Sequence, residues 1–248
     1  MNPAKIKSII RYILADYKNG IIVMYLCVYV LIILTVLKTE LSVFNGIELI
    51  SLITLFCFGL TIFKENFYFL SANGISRKTQ FVSTICSCFT MSAFFSFIDT
   101  INSVILTKSA PYHSMFAAIY APRTEQAAAG GFGSMLCLLL ENFLFLTVLY
   151  FCVMLIGYFL TNLYYKMNRG WKIGVSVGVP VVLGNGIPWL NTYVFHGELG
   201  AVFLRFNAAM WGISYGYNPF VAMGSLLLIS LLFSALTFLL MRRAVIKK

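Results

Sequence analysis

The sequence predicts an all-α integral membrane protein: six transmembrane helices, an N-terminal amphipathic interfacial helix, and an outer re-entrant hairpin between spans five and six. Three observations predict it. Hydrophobic residues make up 60% of the 248 residues and charged ones only 10%, with a mean hydropathy of +0.88; an ordinary soluble domain is about a quarter charged. The apolar residues gather into runs over 20–37, 47–70, 81–105, 134–163, 173–193 and 219–241, lengths suited to a hydrocarbon core that takes ~20 helical residues to cross. The third observation is where the charge falls. With the N-terminus in the cytoplasm, 14 Lys and Arg residues lie inside and only Lys38, Lys108, Arg123 and Arg205 outside. That bias follows the positive-inside rule and explains the net charge of +10 without any nucleic acid partner. Residues 1–248 read as one transmembrane domain in the cell membrane, with both termini cytoplasmic.

Before the first span, Pro3 to Asn19 has a helical stripe of Ile6, Ile9, Ile10, Ile13, Leu14 and Tyr17, with Lys5, Lys7, Arg11 and Lys18 off it. Such a helix rests in the headgroup plane with its basic residues toward anionic lipid. The second run continues to Ala72, roughly 39 Å of helix against a core of ~30 Å, so its last turns project beyond the hydrocarbon. Asn73-Gly74 then predicts a left-handed helix stop, and Ser76 the cap of the next helix. Phe67, Tyr68 and Phe69 precede this turn, and Arg77 and Lys78 follow it. The tip reads either as a docking surface for a soluble partner or as a plain turn with snorkelling cations.

Spans three and four are joined outside by residues 107–133, whose Ala127–Gly133 segment predicts a flexible entry to the fourth span. In the fifth, Gly170, Gly174 and Gly178 follow a small-xxx-small spacing that permits close helix packing. Pro180, Gly184, Gly186 and Pro188 then interrupt regular helix. Residues 189–219 are too apolar for an ordinary loop, and a short helix over Glu198–Trp211 suggests the re-entrant hairpin. The last span ends in a basic anchor, residues 242–248.

Acids beside the apolar runs are Glu48, Asp99 and Glu141, each costly in lipid unless partnered or hydrated. Asp99 with Asn102, and Glu141 with Asn142, are either packing residues or the lining of an outward cavity that draws in cationic cargo. Asp99, Glu141 and Asn142 are therefore the candidate substrate path. No span reads as carrying a polar face, which argues against a channel. All six cysteines lie in apolar runs and read as small hydrophobes, so neither a disulfide nor a metal site is expected. His113 and His196 stand alone in outer segments, and Gly131–Met135 lacks the G-x-S-G of an intramembrane serine protease. No Gly-Lys dipeptide occurs, hence no phosphate loop. No catalytic residues and no bound cofactor are expected.

Together these features resemble the permease subunit of a bacterial ABC type-2, export-type transporter. The resemblance rests on the basic lead-in helix, the order of spans, the broken fifth span, and Asn73–Phe81 (NGISRKTQF), whose Gly74-Ile75-Ser76-Arg77 is similar to a Gly-x-Ser-Arg knuckle of that family. It implies a coupling hairpin formed by Phe67, Tyr68, Phe69, Asn73, Gly74, Ser76, Arg77 and Lys78. It further implies a separate ABC ATP-binding subunit that holds ATP and Mg, and a second permease copy. It also implies an amphipathic or antimicrobial peptide as cargo, as in phenol-soluble-modulin and lantibiotic-immunity exporters. Glu125–Gly131 superficially resembles the Glu-Ala-Ala loop of importers, but the charge bias puts it outside. A membrane-embedded enzyme and a non-transporting sensor or scaffold remain alternatives.

Overall fold

A computed structural model describes residues 3–37, 46–109, 112–195 and 198–242, so His196 and the basic anchor beyond Arg242 lie outside the described residues. Every regular element among them is helical. Five helical segments are long and apolar enough to cross a membrane, which makes this a multi-pass membrane protein.

The first is α1, Pro3–Leu37, and it runs without interruption. The expected interfacial helix is therefore not a separate element, and its stripe has a different use. Ile9 and Ile13 are buried in the core, Tyr12 stacks on Phe69 at 4.7 Å, and the Tyr17 hydroxyl lies 2.9 Å from that of Thr61. The stripe packs on protein, and nothing in Asn19-Gly20 stops the helix.

The second predicted span is divided into α2, Glu48–Thr61, and α3, Lys64–Ala72. At 14 residues α2 alone is short of a full crossing, which is why five spans stand where six were expected. The cause is visible in two carbonyls. In a continuous helix Leu60 and Ile62 would accept from backbone N–H groups four residues on. Here Leu60 O accepts from the Thr161 hydroxyl at 2.6 Å, and Ile62 O from the Asn66 carboxamide at 2.8 Å. Side chains inserted into the ladder are an established source of helix kinks.

Long helices follow: α4, Arg77–Ser109, and α7, Phe132–Lys166. The connection between them is not the loop expected. It folds into α5, Met115–Ile119, capped by the Ser114 hydroxyl, and α6, Ala121–Ala129; only Gly130-Gly131, with Gly131 at φ +83°, turns the chain into α7. Alanine-rich sequence favours helix, and that propensity prevails here.

The fifth span stays helical through α8, Arg169–Val181, a π-helical turn over Val182–Gly186, and α9, Ile187–Tyr193. The irregularity predicted from Pro180 and its neighbours takes the form of that π turn. The short helix expected after it is α10, Glu198–Met210, and α11, Pro219–Arg242, closes the order.

The core sits around α7, which packs against α2, α4 and α11, while α1 lies on α4. Small residues permit the closest approach: Gly59 of α2 meets Gly157 of α7, where a Cβ on Gly157 would lie 2.6 Å from the Phe56 carbonyl oxygen. Gly170, Gly174 and Gly178 do not serve this purpose within the chain. A Cβ on any of them would meet open space, and α8 buries no residue. One span also carries a polar face after all. Ser83, Ser87, Ser92, Ser96, Asp99 and Ser103 of α4 are all buried in the bundle. Several return their hydroxyl to the preceding turn, as Ser87 does to Ser83 O at 2.9 Å and Ser92 to Cys88 O at 2.9 Å. Interleaved Phe, Ile and Met hide this face from an averaged hydropathy.

Candidate coupling hairpin and buried acid cluster

The hairpin between α3 and α4 is fixed by local chemistry. Gly74 adopts φ +68° with free space around it, its N–H bonds Ser71 O at 3.1 Å, and the Ile75 N–H bonds Leu70 O at 3.0 Å. This is the Schellman arrangement, which satisfies the last carbonyls of α3. Ser76 caps α4 as predicted, its hydroxyl 3.4 Å from the Thr79 N–H.

The aromatics and Arg77 are used differently from one another. Phe67 is buried, and the Arg77 guanidinium lies 4.2 Å above its ring centroid while donating to the Ser71 hydroxyl at 2.8 Å. Gln80 joins the same knot, bonding Ile75 O at 2.9 Å. Arg77 is thus a latch that folds back on the hairpin, a planar cation–π role that a lysine fills poorly. The Tyr68 hydroxyl lies 3.3 Å from that of Tyr165. Phe69, half-exposed, stacks on Tyr12 of α1. What the tip presents outward is Phe69, Asn73, Gly74, Ser76 and Lys78.

Asp99 and Glu141 have separate partners. Asp99 is buried in the bundle, where Tyr150 of α7 donates to it at 2.6 Å and Tyr25 of α1 approaches at 3.4 Å. Glu48, also buried, accepts from the Tyr112 hydroxyl at 2.6 Å, and that hydroxyl accepts in turn from the Ile47 N–H at 3.2 Å. Burial and the Glu48 charge push the Tyr112 phenol up from its ordinary pKa. Four helices and the α4–α5 connection are therefore tied together by two acids and three tyrosines. Phenol donors to a carboxylate are among the stronger hydrogen bonds a protein makes.

Glu141 instead faces α6. Arg123 of α6 grips both its oxygens, Nε to Oε2 and Nη2 to Oε1, each at 2.7 Å. The guanidinium's own pKa is raised, first by these hydrogen bonds. The pair lines an open groove of about 600 Å³ that also takes in Gln126, Ser134 and Cys137, with Asp99 absent from its wall. Asn142 is buried and lines a neighbouring cavity of about 240 Å³ between α4 and α7 under α5–α6. The three candidate path residues thus occupy three different settings.

Tyr25, Tyr112, Tyr150 and Arg123 were missed by sequence reasoning. Tyrosines in apolar runs look like any other aromatic, and no local pattern marks them as partners of an acid. Arg123 offered one available signal, since it is one of only two cations in the outer connection that precedes Glu141. All six cysteines are free, and no cluster of metal-ligating residues occurs among the described residues.

No protein-family model matches the chain, and neither a curated protein nor a solved structure matches it.

Proposed function

We propose that this chain is the membrane-spanning permease subunit of an ATP-driven exporter of the ABC type-2 kind. The observation that carries the reading is the α3–α4 hairpin, a short stiff tip that presents Phe69 among polar residues on two helices anchored in the bundle. A coupling element transmits motion only if it resists deformation, and the Arg77–Phe67–Ser71 knot supplies that resistance. Its contact with α1 through Phe69 and Tyr12 would pass movement of the tip into the first span.

In this reading a separate ATP-binding subunit holds ATP and Mg and docks on Phe69, Asn73, Gly74, Ser76 and Lys78. A second permease copy completes the transporter, and the uncovered small-residue stripe of α8 supports a neighbour there. The sixth crossing is the α2–α3 pair taken together, and α10 forms the outer re-entrant segment. The cell membrane holds the complex with both termini cytoplasmic. The cargo is an amphipathic peptide, drawn to the outer groove around Gln126 and Ser134 rather than to a free acid, because Glu141 is already paired.

The test is affinity purification of the chain from its own membrane, probing for a co-purifying ATPase that has no membrane spans of its own. Wild type is expected to hold the ATPase, and Lys78→Glu with Phe69→Ala to lose it while the permease still folds. Wild type that binds no ATPase would overturn the proposal. Export unchanged in Gln126→Ala with Ser134→Ala would remove this groove from the cargo path.

A further inference from the structure

A groove of about 640 Å³ runs along the outside of the bundle between the last turns of α7 and α11. Its floor is apolar, formed by Phe159, Leu163, Leu236 and Leu239, and its end is marked by two cations, Lys166 and Arg242. Both cations lie in the last turn of their helices, and the two C-termini come to the same end of the bundle. Behind the floor, Phe159 packs on Phe233 at 5.1 Å between centroids and the Tyr158 hydroxyl meets the Met241 sulfur at 3.5 Å, so the wall is held from within. Neither Lys166 nor Arg242 is ion-paired among the described residues.

From Phe159 to Lys166 the floor is about 10 Å long at ~1.5 Å per residue, a depth that acyl carbons fill when a headgroup sits at the cations. We propose that this groove binds one anionic diacyl phospholipid of the surrounding bilayer, its phosphate between Lys166 and Arg242 and its chains along Phe159, Leu163, Leu236 and Leu239. The occupant follows from the combination. A soluble anion has no use for the apolar floor, and an uncharged lipid has none for two cations that no described residue pairs. Paired basic residues at the ends of neighbouring spans are a recognised means of holding lipid headgroups. Two helix C-termini meet here, and their dipoles disfavour an anion. Recognition therefore depends on the side-chain cations rather than on backbone amides. This inference does not depend on the exporter reading.

The experiment is native mass spectrometry of the full chain in mild detergent, offered equal phosphatidylglycerol and phosphatidylcholine. Wild type is expected to retain phosphatidylglycerol preferentially. Lys166→Gln with Arg242→Gln should retain it about 30-fold more weakly, taking each cation's usual worth at a membrane surface. Lys166→Arg with Arg242→Lys, which keeps both charges, should bind as wild type does and shows that substitution there is tolerated. Arg205→Gln, an exposed cation of α10 outside the groove, should leave retention unchanged. Equal retention of the two lipids by wild type, or equal loss in Arg205→Gln, overturns the proposal.

Discussion

Gly59 of α2 and Gly157 of α7 meet backbone to backbone, so that a Cβ built on either would lie 3.2 Å from the Cα of the other. On Gly157 the added carbon would also lie 2.6 Å from Phe56 O, which is backbone and cannot swing aside. Helices in lipid gain little from the hydrophobic effect between them, so close van der Waals packing of this kind carries much of their association. Gly157→Ala should therefore destabilise the chain by about 1–3 kcal/mol, as overpacking does. Gly174→Ala, which meets open space within the chain, should stay within about 0.5 kcal/mol. Melting in detergent checks both. If Gly174→Ala melts as wild type but weakens self-association on a sizing column, the α8 stripe contacts a second copy.

The contrast between those two glycine sites shows what was legible in the sequence. Spans α4, α7 and α11 could be read because run length is a property of one segment. The Gly74 stop and the Ser76 cap could be read because turn chemistry is local. The break between α2 and α3 could not, because one of the two side chains that open its ladder, Thr161, stands 101 residues away. Nor could a small-xxx-small spacing say which glycines would find a partner, since Gly59 and Gly157 belong to separate runs and neither stands in that repeat. The acid sites divide the same way. That Asp99 and Glu141 needed partners followed from the cost of a charge in lipid. That the partners would be Tyr150 and Arg123 depended on how the helices pack.

Asp99 is held chiefly by Tyr150, at 2.6 Å against 3.4 Å for Tyr25. Tyr150→Phe should therefore cost about 1–3 kcal/mol, the usual cost of leaving a buried polar group without its partner. Tyr25→Phe should cost less, because its bond is long. The double variant should show coupling, since both phenols serve one carboxylate. Melting of the four proteins in detergent tests the ranking, and a larger effect from Tyr25→Phe would contradict it.

Tyr120 joins α5 and α6 and donates to Trp211 O at 3.0 Å, with its phenol pushed up to about 12 by burial. A tyrosine in the unfolded chain ionises near its ordinary value of about 10. The folded state therefore holds the proton more tightly. The resulting stability is complete below pH ~10 and is lost as pH rises from ~10 to ~12. Tyr120→Phe should be less stable than wild type at neutral pH by about 0.5–1.5 kcal/mol, and the gap should close across that window. Unfolding midpoints compared from pH 9 to 12 check the sign; a gap that widens with pH would contradict it.

Arg77 and Lys78 are adjacent in sequence, yet the structure gives them different roles. Arg77 stacks at 4.2 Å on buried Phe67 and bonds Ser71, whereas Lys78 is exposed. Arg77→Ala should loosen the hairpin by about 1–2 kcal/mol, given a partly desolvated cation–π contact and one lost hydrogen bond. Arg77→Lys should recover only part of that, because an ammonium cannot lie flat on the ring while reaching the hydroxyl. Hydrogen exchange at the Gly74 and Ile75 amides is the direct readout, since those two N–H groups close the turn. Both should exchange faster in Arg77→Ala and at the wild-type rate in Lys78→Ala. A partner that docks on the tip would reverse the order of sensitivity: Lys78→Ala would weaken its binding with the turn intact, and Arg77→Lys would weaken it only as far as the turn loosens. Equal effects of the two substitutions on exchange would mean that Arg77 is not the latch.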